Sequence, residues 1–90
     1  MKNNYTKKYV DFLTRIDKKN LWHPFTQMQM YRETDNPIID KGNGIFLYDI
    51  DGRKYIDGIS SLWVNIWGHN NKLLNKAIIK QLGKISHSTL

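Results

Sequence analysis

The sequence predicts an α+β chain: an N-terminal helix, an apolar arm, a three-stranded antiparallel meander and one amphipathic helix. Three observations carry that expectation. Apolar residues recur at helical spacing near both ends of the 90-residue chain, and two prolines bound an apolar stretch after the first helix. Between them, an Asp51-Gly52 pair separates two runs rich in isoleucine, tyrosine and phenylalanine.

Taken in order, Tyr5, Tyr9, Phe12, Leu13 and Ile16 fall on one helical face, with Lys7, Lys8, Asp11 and Arg15 on the other. Residues 1–20 therefore read as a helix that ends at Lys18-Lys19-Asn20, where cations suit the negative helix terminus. Pro24 and Pro37 bias His23 and Asn36 away from helical backbone, so residues 21–36 read as an extended arm. It carries Leu21, Trp22, Phe25 and Met28, and an arm that apolar needs a surface to lie against. Beyond Pro37 come the short runs IID, IFLYDI and RKYID, separated by Gly42-Asn43-Gly44 and by Asp51-Gly52 and closed by Gly58. They predict three strands, with Asp-Gly in a type I′ turn whose two central residues both need positive φ. Asn70 or Asn71 is then the N-cap of a helix through Leu73, Leu74, Ala77, Ile78 and Leu82, with Gly83 as a stop. That leaves one downstream helix to cover one face of a small sheet.

Composition narrows the function. The net charge of +6 invites a nucleic-acid partner. Lys72, Lys76, Lys80 and Lys84, however, recur every four residues, the pattern of a solvated helix face, so no nucleic-acid partner is expected from them. With no cysteine there is no disulfide and no thiolate metal site. Apolar runs are short and the opening MKNNYTKKYV lacks a signal-peptide core, so the expectation is a cytoplasmic chain with no membrane partner. A domain of this size buries only roughly 60–65% of its unfolded surface and is marginal without staples.

Several constellations fail on inspection. After Gly42-x-Gly44 the third glycine of a dinucleotide fingerprint would fall at Leu47, and a strand follows where a helix is required. Numbering a calcium loop from Gly52 puts Leu47 first and Gly58 last, where ligands are needed. His23, His69 and His87 lack metal-ligand spacing and close carboxylate companions in sequence, and read as local hydrogen-bonding histidines. Ser60, Ser61, Ser86 and Ser88 lack the glycine-flanked elbow of a nucleophile. No catalytic residue, cofactor ligand or metal ligand is assigned to this chain.

The stretch SSLWVNIWGHNN, residues 60–71, differs. As a strand or as a helix it sets Trp63 and Trp67 side by side. One reading is a core strand; the other is an apolar slot with indole N–H, Ser60, Ser61 and Asn65 at its rim, suited to an elongated substrate with polar ends. Neither this segment nor the arm has an obvious partner within the chain, which reads as a piece of a larger fold.

The motif LWHPFTQM followed by G-x-G-x-x-L-x-D-x-D-G-x-x-Y-x-D, Gly42 to Asp57, resembles the start of class III pyridoxal-phosphate-dependent aminotransferases. WHPFTQM with SSLWVN resembles the biotin-synthesis branch, which converts 8-amino-7-oxononanoate to 7,8-diaminononanoate. The resemblance covers residues 21–90. It implies a fold-type-I homodimer in which residues 37–90 belong to the small domain, with the large cofactor domain absent. The pyridoxal 5′-phosphate ligands, the Schiff-base lysine among them, would then lie outside this chain, and the chain alone would be inactive.

By the same resemblance Phe25, Leu62 and Trp63 are substrate-binding residues for the amino-ketone. Other members carry tyrosine and tryptophan where Phe25 and Leu62 stand, which leaves S-adenosylmethionine and lysine both open as amino donor. Trp67 stands where histidine is usual, and Lys72 where a helix-starting proline is common. Two alternatives stay open: another class III aminotransferase acting on an ω-amino acid, and a small basic module that binds a partner or nucleic acid.

Overall fold

The computed structural model describes residues 5–89. Its elements run α1 (Lys7–Asn20), α2 (Met28–Glu33), β1 (Ile39–Asn43), β2 (Phe46–Asp49), β3 (Lys54–Ile56), α3 (Ser60–Trp63) and α4 (Lys72–Leu82). The strands form one antiparallel sheet in the order β1-β2-β3. The chain divides into two compact units, Met1–Lys41 with Tyr48–Lys54 and Gly42–Leu47 with Tyr55–Leu90.

In the first unit Thr6 caps α1, its Oγ1 accepting from Tyr9 N at 3.3 Å. The part of the expected helix at residues 1–4 lies outside the described residues. The segment expected to be an extended arm instead carries α2, whose N-cap Gln27 accepts at Oε1 from Gln29 N (2.7 Å) and Met30 N (3.2 Å). Met, Gln and Arg are good helix formers, and a glutamine cap starts the turn three residues after Pro24, out of reach of that proline's steric effect. The segment is tied back to α1: Lys18 Nζ donates to Thr34 O at 2.7 Å, and Tyr31 Oη donates to Asp17 Oδ2 at 2.8 Å.

At the β2–β3 hairpin, Asp49 N donates to Arg53 O (3.1 Å) and Gly52 N to Asp49 O (3.0 Å). Gly52 has φ +84 while Asp51 is not among the positive-φ residues, so the expected type I′ turn is not the one formed. Asp-Gly here occupies the last two positions of a four-residue turn with a left-handed glycine at its exit, a longer hairpin solution. Ile50 in this turn is 5% exposed and is the buried apolar residue among those described. Beside it the Asp49 carboxylate is buried and accepts from Arg53 N at 2.8 Å.

In the second unit Asn71 caps α4, accepting at Oδ1 from Leu73 N (3.0 Å) and Leu74 N (3.2 Å), and Gly83 closes the helix. The helix was expected to cover a sheet face. It buries none of its residues: Leu73, Leu74, Ile78, Ile79 and Leu82 all stand exposed. No helix among the described residues is long and apolar enough to cross a membrane.

Candidate functional site

The end of β3 and the turn after it form the most constrained part of the second unit. Asp57 N donates to Ile45 O at 2.9 Å, extending the register in which Asp49 faces Arg53. The Asp57 side chain, 5% exposed, then gathers three donors: Ser61 N to Oδ1 at 2.9 Å, Ser61 Oγ to Oδ2 at 2.7 Å and His69 Nε2 to Oδ2 at 2.7 Å. The Ser61 amide and hydroxyl hold the Asp57 carboxyl below the usual carboxylate range; burial opposes them and His69 adds to them.

His69 is itself fixed. It exchanges two backbone bonds with Gly44, Gly44 N to His69 O at 3.0 Å and His69 N to Gly44 O at 2.7 Å. Its ring lies so close over Gly42 that a Cβ there would sit 2.6 Å from His69 Cβ and Cγ.

The turn that Asp57 grips is left-handed. Ser60, Ser61, Leu62 and Trp63 have φ of +52, +47, +66 and +70, and ψ at Ser61 and Leu62 is 55 and 49. Left-handed helical backbone costs about 1–2 kcal/mol per L-residue, so four in a row store roughly 4–8 kcal/mol. Such strain persists only where the surroundings over-determine it, and it gathers at functional sites.

Sequence reasoning missed this turn, because serine, leucine and tryptophan carry no signal for positive φ. It overturns the expectation that Trp63 and Trp67 lie side by side: no ring contact joins them among the described residues. Ser61, expected at the rim of a slot, has its hydroxyl committed to Asp57. The Asp57–Ser61–His69 group is not a nucleophilic triad either, because serine and histidine both donate to the aspartate and neither activates the other.

What the turn does is present apolar side chains. Trp63 is 82% exposed and Leu62 46%, followed by exposed Val64, Ile66 and Trp67. In the first unit Phe25 is 96% exposed with φ +52, beside exposed Trp22. His23 Nε2 donates to Asp17 Oδ1 at 3.0 Å and its ring lies tilted against that of Tyr31, centroids 4.4 Å apart. Burial first, then the bond to Asp17, pushes the Tyr31 hydroxyl up to about 12. So two of the three histidines read as local hydrogen-bonding groups, His23 and His69, have aspartate partners, six and twelve residues away in sequence. Neither partner is close in sequence, so only the fold brings these pairs together.

Pyridoxal phosphate would need a lysine amine for its aldehyde, a carboxylate for its ring nitrogen and donors for its phosphate. The residues present do not fit it. The described lysines are exposed apart from half-buried Lys18, whose Nζ is spent on Thr34 O. The buried carboxylates Asp17, Asp49 and Asp57 are held by His23 and Tyr31, by Arg53, and by Ser61 and His69. No group of three or more metal-ligating side chains is found among the described residues.

Comparison with known proteins extends the picture. Residues 29–90 match the model of the class-III aminotransferase family. Over 82 residues the chain is 57% identical to the adenosylmethionine-8-amino-7-oxononanoate aminotransferase of Staphylococcus aureus, covering 91% of this chain and 18% of that one. It is likewise similar to a solved structure, the adenosylmethionine-8-amino-7-oxononanoate aminotransferase of Methanocaldococcus jannaschii. There the TM-score is 0.82 at 49% identity, over 90% of this chain and 18% of that one. The omega transaminase of Pseudomonas jessenii in complex with PMP matches with a TM-score of 0.75 at 31% identity, over 87% of this chain and 18% of that one. The chain thus spans about a fifth of the length of these relatives.

Proposed function

The chain belongs to the class-III aminotransferase family, and from that premise we propose that it is the N-terminal part of a biotin-synthesis aminotransferase. The reaction is conversion of 8-amino-7-oxononanoate to 7,8-diaminononanoate in a cytoplasmic homodimer, with S-adenosylmethionine or lysine as donor. Pyridoxal phosphate, held by residues outside these 90, supplies the electron sink for moving the amino group. This chain supplies part of the small domain and apolar substrate contacts, and is inactive alone.

The observation that carries the reading is the strained turn Ser60–Trp63, which holds Leu62 and Trp63 outward in a chain 57% identical to an enzyme named for this substrate. 8-Amino-7-oxononanoate has a methylene run between its ketone and its carboxylate. Apolar contact is worth about 0.8 kcal/mol per buried methylene, so the Leu62 and Trp63 side chains can bind that run without touching the reacting carbons. Phe25, on the exposed H-P-F-T segment, is proposed as a further apolar contact.

The test is a hybrid in which this chain replaces the aligned segment of the Staphylococcus aureus relative. The cofactor-loaded hybrid should turn over 8-amino-7-oxononanoate, and assays with each donor decide between S-adenosylmethionine and lysine. Trp63→Ala in the hybrid should raise KM for the amino-ketone about tenfold or more, the equivalent of roughly 1.4 kcal/mol of lost contact. A folded, loaded hybrid that ignores this substrate and accepts ω-amino acids would overturn the reading in favour of an omega transaminase.

A further inference from the structure

We infer that Asp57 is the positioning residue of this apolar wall: by accepting from Ser61 and from His69 it holds Ser60–Trp63 left-handed and so sets where Leu62 and Trp63 stand. The inference rests on the reading of Leu62 and Trp63 as substrate contacts.

The bonds within the turn do not select its hand. Trp63 N to Ile59 O (2.9 Å) and Val64 N to Ser60 O (3.0 Å) are the i→i−4 bonds that a right-handed turn would make without strain. With no glycine among the four residues, the turn left to itself would relax to the right-handed form. Something outside those bonds must choose.

Asp57 is placed to do so. As the N-cap of a right-handed helix it would accept from the amides two or three residues on, at Ile59 or Ser60. It accepts instead from the amide and the hydroxyl of Ser61, four residues on, a pairing that the left-handed path brings about. Its own position is anchored twice. The backbone N–H is bonded to Ile45 O, and Oδ2 accepts a hydrogen bond from His69 Nε2, whose segment is bridged to Gly44 and seated over Gly42. The hand of the turn is thereby referred to the sheet. The depressed titration of Asp57 agrees with a carboxylate that remains a charged acceptor at neutral pH.

The experiment uses the cofactor-loaded hybrid. Asp57→Ala should raise KM for 8-amino-7-oxononanoate by about 10- to 100-fold, the scale of misplacing a substrate contact by an ångström, with kcat changed by no more than about threefold. Ser61→Gly introduced into that variant should restore part of the loss, because glycine takes positive φ without strain at one of the four left-handed residues. A merely structural role predicts falling cofactor content and no rescue, and that result overturns the inference. If Asp57→Ala does not load cofactor, Asp57→Asn keeps the side-chain shape and one accepting oxygen; it should give a smaller rise in KM that Ser61→Gly again reduces. An unchanged KM in the Asp57 variants while Trp63→Ala still raises it refutes the inference alone. An unchanged KM in Trp63→Ala and Leu62→Ala removes the underlying reading instead.

Discussion

Replacing Gly42 by alanine places a methyl carbon 2.6 Å from both Cβ and Cγ of His69 and 3.0 Å from Nδ1. To regain ordinary contact at 3.4 Å the imidazole must retreat by about 0.8 Å, and one of the atoms struck is Cβ, which rotation about χ1 cannot move at all. Nor is His69 free to retreat: its backbone is bonded both ways to Gly44 and its Nε2 is 2.7 Å from Asp57. Overpacking of this kind costs about 1–3 kcal/mol, and that is the loss expected from Gly42→Ala. Two other glycines calibrate it. Gly44→Ala meets nothing within 4 Å but must hold φ +57, so it should cost about 1–2 kcal/mol through the backbone alone. Gly58→Ala meets nothing and has no positive φ, so it should stay within about 0.5 kcal/mol of the parent. The assay is the urea midpoint of the cofactor-loaded hybrid for all three, with the His69 ring followed by its proton resonances. Gly42→Ala as stable as Gly58→Ala, with His69 resonances unmoved, would refute the seating of His69 over Gly42.

Two further outcomes follow from named contacts. Asn71→Ala removes the acceptor for Leu73 N and Leu74 N and should cost about 1 kcal/mol by the same urea midpoint, with faster amide exchange at those two residues; Asn71→Ser should recover most of it. Tyr31 is neutral and bonded to Asp17, with its hydroxyl raised from 10.0 to about 12. A raised folded value means the contribution is complete below pH 10 and lost as pH climbs toward 12, so stability should fall through that window. Tyr31→Phe should flatten that fall, as followed by phenolate absorbance and thermal midpoint.

Much of the chain was legible because its signals are local. Lys18 and Lys19 at the end of α1, Asn71 before α4 and Gly83 after it act within one helical turn, and each marks a real boundary. The Asp51-Gly52 pair located a hairpin but not its turn type, which depends on how many residues the flanking strands leave unpaired. The α2 helix was hidden because two prolines dominate the reading of residues 21–36, and a six-residue helix shows too little periodicity to compete with them.

The geometry of the candidate site was not legible in the sequence. Phe25, Leu62 and Trp63 could be singled out by resemblance, and all three stand exposed. The left-handed path from Ser60 to Trp63 could not, since its cause is a carboxylate and an imidazole brought together across twelve residues. Residues of this type have no propensity for such backbone, and only the tether to a sheet end makes it stable.

We propose that the exposed apolar side chains of both units are covered by the rest of a larger polypeptide. Acrylamide quenching of tryptophan fluorescence in the isolated 90-residue chain, recorded alongside its thermal melt, tests this most directly. Trp22, Trp63 and Trp67 are 87%, 82% and 72% exposed, so quenching close to that of free indole and a broad transition without a sharp midpoint are expected. Shielded tryptophans together with a single cooperative melt would contradict it.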